Sequence, residues 1–151
     1  MTAARKVADF AVPSTSGTFR LSDHAGKTVV LYFYPKDNTP GCTTEGAAFR
    51  DAHDAFREAH AVVAGVSRDS LASHAKFRAK MDFPFDLLSD ADGALCERFG
   101  VIRDKKMYGR TVRGIERSTF VIDGSGRLVR EWRGVKVPGH VDDVLAFVRS
   151  L

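Results

Sequence analysis

Short continuous apolar runs alternate along the chain with longer segments in which the apolar residues recur at helical spacing. Residues 28–34 and 61–66 are apolar and rich in β-branched or aromatic side chains, which predicts two buried strands. Between them, residues 49–56 carry apolar side chains three and four positions apart, which predicts one face of a helix. We expect this helix to begin at Cys42, directly after the Pro-Gly pair that breaks the chain.

The same alternation continues to the C-terminus. It predicts a helix over 70–80 with Asp69 or Ser70 as its N-cap, and a helix that Asp90 could cap. The predicted elements after the second strand are a helix over 70–80, a strand over 85–88, a helix over 90–99, two strands over 118–122 and 128–132 joined by the turn 123–126, and a helix over 141–148. Strands that alternate with helices and end in a hairpin predict an α/β fold, a central mixed sheet with helices on both faces.

The length of the chain and its proportions of hydrophobic and charged residues fit one globular domain spanning residues 1–151. Its formal net charge is +4, but a nucleic-acid binder usually concentrates its basic residues on one face. Here they are scattered, with one modest cluster formed by Arg103, Lys105, Lys106, Arg110 and Arg113. We interpret that cluster as a solvated loop and expect no nucleic-acid partner.

Other classes are disfavoured by what the sequence does not contain. No run approaches the roughly 20 apolar residues of a membrane span, and the first residues lack the apolar core of a signal peptide. We therefore expect no membrane association and a cytoplasmic location. The two cysteines are too few for a disulfide scaffold or a four-thiolate zinc site. The five histidines show no close-spaced ligand pattern either, so we expect neither a metal nor a cofactor.

Cys42 is the strongest chemical candidate, although a free cysteine alone is often just a small buried apolar residue. At the start of a helix its sulfur would meet unpaired N–H groups and the positive end of the helix dipole, and both favour the nucleophilic thiolate. Thr39 lies three residues before it, where a hydroxyl could reach the same place as the sulfur. Pro35 ends the preceding strand without offering a competing N–H group. Glu45 lies in the first helical turn, where a carboxylate could hold a distant arginine.

Pro35, Thr39 and Cys42 stand at the spacing of the active-site motif of the peroxiredoxins, which are thiol peroxidases with a thioredoxin-like fold. Residues 26–35 and 37–43 resemble the Q-type, or bacterioferritin-comigratory, subfamily of these enzymes. The resemblance covers essentially the whole chain, since it extends through shorter matches at 65–67, 88–90, 100–101 and 114–123. It places Arg117 where the family keeps its active-site arginine.

The resemblance implies a peroxidase that reduces hydrogen peroxide or alkyl hydroperoxides. A Cys42 thiolate would attack one peroxide oxygen and expel the other, assisted by the Thr39 hydroxyl, the N–H groups of Gly41 and Cys42, and the Arg117 guanidinium. The sulfenic acid formed on Cys42 would then be reduced by a thiol. The family implies thioredoxin, glutaredoxin or glutathione as the reductant, and a monomeric enzyme. Tyr34 and Phe49 could wall the substrate site.

The chain departs from the family where a resolving cysteine is expected. Ala47 and Arg78 occupy the two positions at which Q-type enzymes carry it, so Cys96 is the only internal candidate. The favoured interpretation is a one-cysteine mechanism with an external thiol; the alternative is a two-cysteine mechanism in which Cys96 resolves. A dithiol oxidoreductase would need Cys-x-x-Cys, but Glu45 occupies the second place. A non-enzymatic holdase remains a further alternative.

Overall fold

The computed structural model describes residues 5–151, with the side chains of Lys105 and Met107 outside the description. The strands are β1 (Arg5–Lys6), β2 (Ala11–Ser14), β3 (Gly17–Arg20), β4 (Thr28–Phe33), β5 (Ala61–Ser67), β6 (Asp86–Ser89), β7 (Ile102–Met107), β8 (Arg110–Ile115), β9 (Ser118–Ile122) and β10 (Arg127–Arg133). The α-helices are α1 (Pro40–Asp51), α2 (His53–Glu58), α3 (Leu71–Met81), α4 (Ala94–Arg98) and α5 (His140–Arg149). No helix in this part of the chain is long and apolar enough to cross a membrane.

Eight of the strands form one mixed sheet in the order β1-β10-β9-β4-β5-β6-β2-β3. The central strands β4, β5 and β6 are parallel, whereas β9 pairs antiparallel with β4. Parallel neighbours need a crossover connection, and α1 with α2 supplies the one between β4 and β5. The mixed sheet predicted from the sequence is thereby confirmed.

The two faces of this sheet support two separate cores, because successive side chains of a strand point to opposite faces. Val29, Leu31 and Phe33 of β4 belong to a first core, which also contains residues of α4. Val30 and Tyr32 belong to a second core, which contains residues of α1, α2, α3 and α5. Helices therefore cover both faces as predicted, although most of them lie on the second.

The helix boundaries differ from the predictions in instructive ways. The predicted helix at Cys42 begins two residues earlier, at Pro40, and a break at Ala52 divides it into α1 and α2. Ser70 is the N-cap of α3, and its hydroxyl oxygen accepts from the N–H of Ser73 at 3.1 Å. Asp90 lies four residues before α4, yet its carboxylate accepts from two amides of that helix. It therefore satisfies N-terminal N–H groups of α4 as an N-cap would.

Two segments contain strands that the sequence pattern did not predict, and the interpretation of one of them as a loop was wrong. The N-terminal segment contains three short strands, one of which includes Pro13, and such short runs leave little periodicity to detect. The segment interpreted as a solvated loop is the β7–β8 hairpin. It turns at Tyr108 and Gly109, both with positive φ, as tight hairpin turns require. Its described basic side chains are nevertheless exposed; that of Lys105 lies outside the description.

Candidate active site

The candidate site lies where β4 ends and β9 begins. Because β9 pairs antiparallel with β4 and aligns Ser118 with Phe33, the residue before Ser118 lies beside the chain that leaves β4. That residue is Arg117. The loop after β4 passes Pro35, which is exposed, and enters α1 at Pro40. The topology therefore brings an arginine from late in the sequence to the start of α1.

The sulfur of Cys42 lies against this arginine. Cys42 is the third residue of α1 and only 2% exposed, and Arg117 Nη2 donates to its Sγ over 3.5 Å. Arg117 Nη1 donates to Oε1 of Glu45 over 2.6 Å. Residues three positions apart lie on the same side of a helix, so Cys42 and Glu45 hold one guanidinium between them. The contact of Glu45 with a distant arginine, expected from the sequence, is present.

Gly41 allows this close approach. A Cβ atom at this position would lie 3.0 Å from Arg117 Nη2, which is too close for an ordinary contact. A side chain at residue 41 would therefore push the guanidinium away from the sulfur.

The N-terminus of α1 supplies further donors. Thr39 is the N-cap residue, and its hydroxyl donates to the carbonyl of Lys36 at 2.8 Å rather than capping the helix. Pro40 has no N–H to offer, and the first-turn amides of a helix have no acceptor within the helix. The N–H groups of Gly41 and Cys42 belong to this turn, so the positive end of α1 surrounds the sulfur.

Glu45 is an acid in an unusual environment. Its side chain is fully buried, and within residues 5–151 its Oε2 atom and the Tyr32 hydroxyl have no hydrogen-bond partner. Burial raises the pKa of Glu45 from 4.5 to about 7, while the charge of Arg117 limits the rise. Near neutral pH this carboxyl is therefore divided between its two protonation states.

This property predicts how stability depends on pH. The native state retains the Glu45 proton at pH values where the unfolded chain has released it, so this contribution is complete below pH 4.5 and is lost as the pH rises through about 7. A rise of this size corresponds to roughly 3 kcal/mol. We expect the free energy of unfolding, measured by urea denaturation across this range, to fall more steeply in the wild type than in Glu45→Gln. Parallel curves for the two proteins would contradict this prediction.

Cys96 is placed away from this site. It belongs to the first core whereas Cys42 belongs to the second, so the sheet separates the two thiols, and both are free. Cys96 is fully buried, and its N–H donates to Asp90 Oδ2 at 2.7 Å. Burial raises the pKa of the Cys96 thiol and the Asp90 carboxylate adds to the rise, which disfavours a reactive thiolate.

The proposed aromatic wall is not found. Tyr34 and Phe49 are both fully buried and both stack on Tyr32, with ring centroids 5.6 and 4.5 Å away. They are part of the second core beneath the site. That core also contains Cys42, but the two rings themselves offer no exposed surface to a peroxide.

Sequence reasoning missed a buried polar cluster formed by Asp37, Asp69 and His74. Their ligand-type atoms lie within 4.8 Å of one another, but hydrogen bonds already engage the carboxylate oxygens that face the cluster. We therefore interpret the group as a hydrogen-bonded network rather than a metal site. One signal was available: His74 lies three residues before Phe77 on the apolar side of α3, and a buried histidine needs polar partners.

Three comparisons with known proteins bear on this site. Residues 3–131 match the AhpC/TSA family. The protein named Peroxiredoxin Bcp from Bacillus subtilis (strain 168) is 53% identical over 134 residues, which cover 89% of this chain and 85% of the relative.

Solved structures of similar proteins agree with these sequence matches. A structure of the Xanthomonas campestris bacterioferritin comigratory protein, studied for its alkyl peroxide reduction activity, superposes with a TM-score of 0.89 at 50% identity, covering 93% of this chain and 90% of the other. A cysteine-to-serine variant of PrxQ from Xylella fastidiosa gives 0.93 at 44% identity, covering 99% and 96%. These matches confirm the predicted thioredoxin-like fold.

Proposed function

Since the chain belongs to the AhpC/TSA family, among the peroxiredoxins of the Bcp or PrxQ type, and is a peroxidase, we propose that Cys42 is the residue that reduces the peroxide. The observation that carries this assignment is the Arg117 guanidinium, 3.5 Å from the Cys42 sulfur and held on its other side by Glu45. The thiolate is the reactive form of cysteine, and a cation so placed can stabilise the negative charge that passes from the sulfur to the departing oxygen during the attack.

The arrangement suits attack on an O–O bond. The Cys42 thiolate attacks one oxygen of hydrogen peroxide, the O–O bond breaks, and the other oxygen leaves as hydroxide, which takes up a proton to become water. Cys42 is oxidised to sulfenic acid, and the peroxide is reduced. Arg117 and the N–H groups of Gly41 and Cys42 are donors that we assign to the charge that develops on the oxygens. We assign the Thr39 hydroxyl the same role once it turns from the Lys36 carbonyl, to which it donates in the free enzyme.

We propose that an external thiol completes the cycle. Ala47 and Arg78 stand at the positions where related enzymes carry a resolving cysteine, and Arg78 instead donates to the carbonyl of Phe85. Cys96 lies in the core on the other face of the sheet. A disulfide requires Cα atoms within about 7 Å, so a bond between Cys42 and Cys96 would require the fold to open.

The remaining features of the proposal follow the family. We propose hydrogen peroxide and alkyl hydroperoxides as substrates, the latter by analogy with the Xanthomonas campestris protein. Thioredoxin, glutaredoxin and glutathione are the candidate reductants. A monomer of one domain acting in the cytoplasm is the state in which we expect the enzyme to work. The domain prediction includes residues 1–4, which lie outside the described part of the chain.

One equivalent of peroxide tests the one-cysteine mechanism. After its addition to the reduced protein, we expect one oxygen of added mass, a sulfenic acid on Cys42 that a specific reagent traps, and a free thiol on Cys96. Mass spectrometry and thiol counting under denaturing conditions measure all three. Loss of both thiols together with two hydrogens would instead show a Cys42–Cys96 disulfide and establish the two-cysteine alternative.

A further inference from the structure

A buried polar network ties the loop between β4 and α1 to the beginning of α3. Its centre is Asp37, whose side chain is only 4% exposed. The Tyr34 hydroxyl donates to its Oδ1 at 2.6 Å, and the Ser73 hydroxyl donates to its Oδ2 at 2.8 Å. Burying a carboxylate costs free energy unless it is hydrogen-bonded. One of these donors directly follows β4 and the other belongs to α3.

His74 completes the network. Its ring is fully buried, with Nδ1 2.7 Å from Asp37 Oδ2 and Nε2 2.9 Å from the carbonyl oxygen of Leu88. A carbonyl only accepts, so Nε2 is the nitrogen that donates to Leu88, while Nδ1 faces the Asp37 carboxyl group. Burial by itself would raise the pKa of Asp37, but the hydrogen bonds from His74 and Tyr34 outweigh it and hold that pKa below its usual value. The result is a buried hydrogen-bonded link between the loop and α3.

Further contacts fix the conformation of the loop. The N–H of Asp37 donates to Asp69 Oδ2 at 2.9 Å, and that oxygen also accepts from Ser67 at 2.5 Å. Asn38 has a φ of 61°, in the left-handed region that asparagine adopts more readily than most other residues with a side chain. Lys80 of α3 donates to the Asn38 side chain at 2.7 Å. Contacts from Asp69 and from α3 therefore hold the loop in this conformation.

We propose that the Asp37–His74 pair is a positioning device for Cys42, holding the loop so that Thr39 and the first turn of α1 lie where the attack on peroxide requires them. The proposal rests on the assignment of Cys42 as the peroxide-reducing residue. Asp37 precedes Thr39 by two residues and Cys42 by five. Both ring nitrogens of His74 are occupied by Asp37 and Leu88, so His74 acts through the loop. A displacement of about 1 Å can cost roughly 10² in rate.

Two substitutions of His74 separate its two contacts. The amide nitrogen of glutamine can replace Nε2 and keep the bond to Leu88, whereas that of asparagine can replace Nδ1 and keep the bond to Asp37. We expect His74→Gln to slow the reaction of Cys42 with hydrogen peroxide by about 10- to 100-fold, and His74→Asn to slow it much less. Stopped-flow mixing measures this rate. Alkylation of Cys42 by iodoacetamide, which breaks no O–O bond, should change far less in both variants.

The rate of the Cys42 reaction with hydrogen peroxide, divided by its rate with iodoacetamide, distinguishes positioning from a general loss of structure. Arg78→Gln is the matched control, since it removes a different hydrogen bond of α3, to Phe85, and should leave the ratio unchanged. The proposal is wrong if His74→Gln leaves this ratio unchanged, as the control does. It is also wrong if each His74 variant slows the peroxide reaction and the iodoacetamide reaction by the same factor. If His74→Gln does not fold, Ser73→Ala removes one donor to Asp37, and an unchanged ratio there would overturn the proposal.

The same measurements separate this proposal from the assignment of Cys42. If Cys42 is not the peroxide-reducing residue, its reaction with peroxide will already be absent in the wild-type protein. If only the positioning role is wrong, the wild-type reaction will be present, and the ratio of the peroxide rate to the iodoacetamide rate will be the same in the His74 variants as in the wild type.

Discussion

The Cys42→Ser variant is expected to consume peroxide no faster than buffer containing the same thiol reductant. Serine keeps the size of the side chain, but its hydroxyl does not ionise near neutral pH, so the nucleophile is lost. Removal of a catalytic nucleophile typically costs on the order of 10⁴-fold or more in rate. Coupled assays with hydrogen peroxide and each candidate thiol measure this loss.

Cys96→Ser is the matched control for this substitution. Its side chain is buried in the first core, away from Arg117, so we expect turnover close to that of the wild type once its folded fraction is taken into account. Wild-type turnover by Cys42→Ser would refute the assignment of Cys42. Loss of turnover in a well-folded Cys96→Ser protein would instead support the two-cysteine alternative.

The Arg117→Gln variant is expected to lose roughly 10²–10³-fold in kcat/KM for peroxide, the usual cost of removing one donor that stabilises developing charge. Glutamine retains some polarity but neither the charge nor the paired donors that reach Cys42 and Glu45. The substitution also leaves Glu45 buried without its cation, which further favours the protonated acid. Initial rates over a range of peroxide concentrations measure the effect.

Arg113→Gln provides the control for charge. It makes the same change four residues away, at an exposed arginine whose ion pairs with Glu97 and Asp104 span 3.5 and 3.6 Å. Surface pairs of this kind contribute about 0–1 kcal/mol, so its activity should remain that of the wild type. If the two variants lose activity equally, Arg117 acts only through the net charge of the protein and the proposed donor role is wrong.

The parts of the fold that the sequence predicted are those with strong local periodicity. The strand over 28–34 and the helix over 141–148 are each found within about two residues, because long apolar patterns dominate local structure. The β7–β8 hairpin was missed since half of its strand residues are charged and its strands are held by backbone pairing. Side-chain patterns do not report on hydrogen bonds of that kind.

In the candidate site, too, only contacts between residues close in sequence could be predicted from the chain itself. Thr39, Gly41 and Cys42 lie within four residues of each other, so their proximity could be inferred from the chain itself. Arg117 is 75 residues from Cys42, and only the family resemblance placed it there. His74 and Asp37 are separated by 37 residues. Asp37 lies in the segment 37–43 that carries the resemblance, but nothing in that segment pointed to His74, so their contact required the structure.

The two cores described above allow the stability and the chemistry of this protein to be altered independently. Side chains on opposite faces of a sheet share few neighbours, and substitutions without shared partners have nearly additive effects on stability. Residues such as Leu31 and Phe33 contribute to the face that contains Cys96, while the face that contains Cys42 supports the reaction. Protein engineers can therefore seek thermal tolerance on the first face, where a gain in stability need not reduce the catalytic rate.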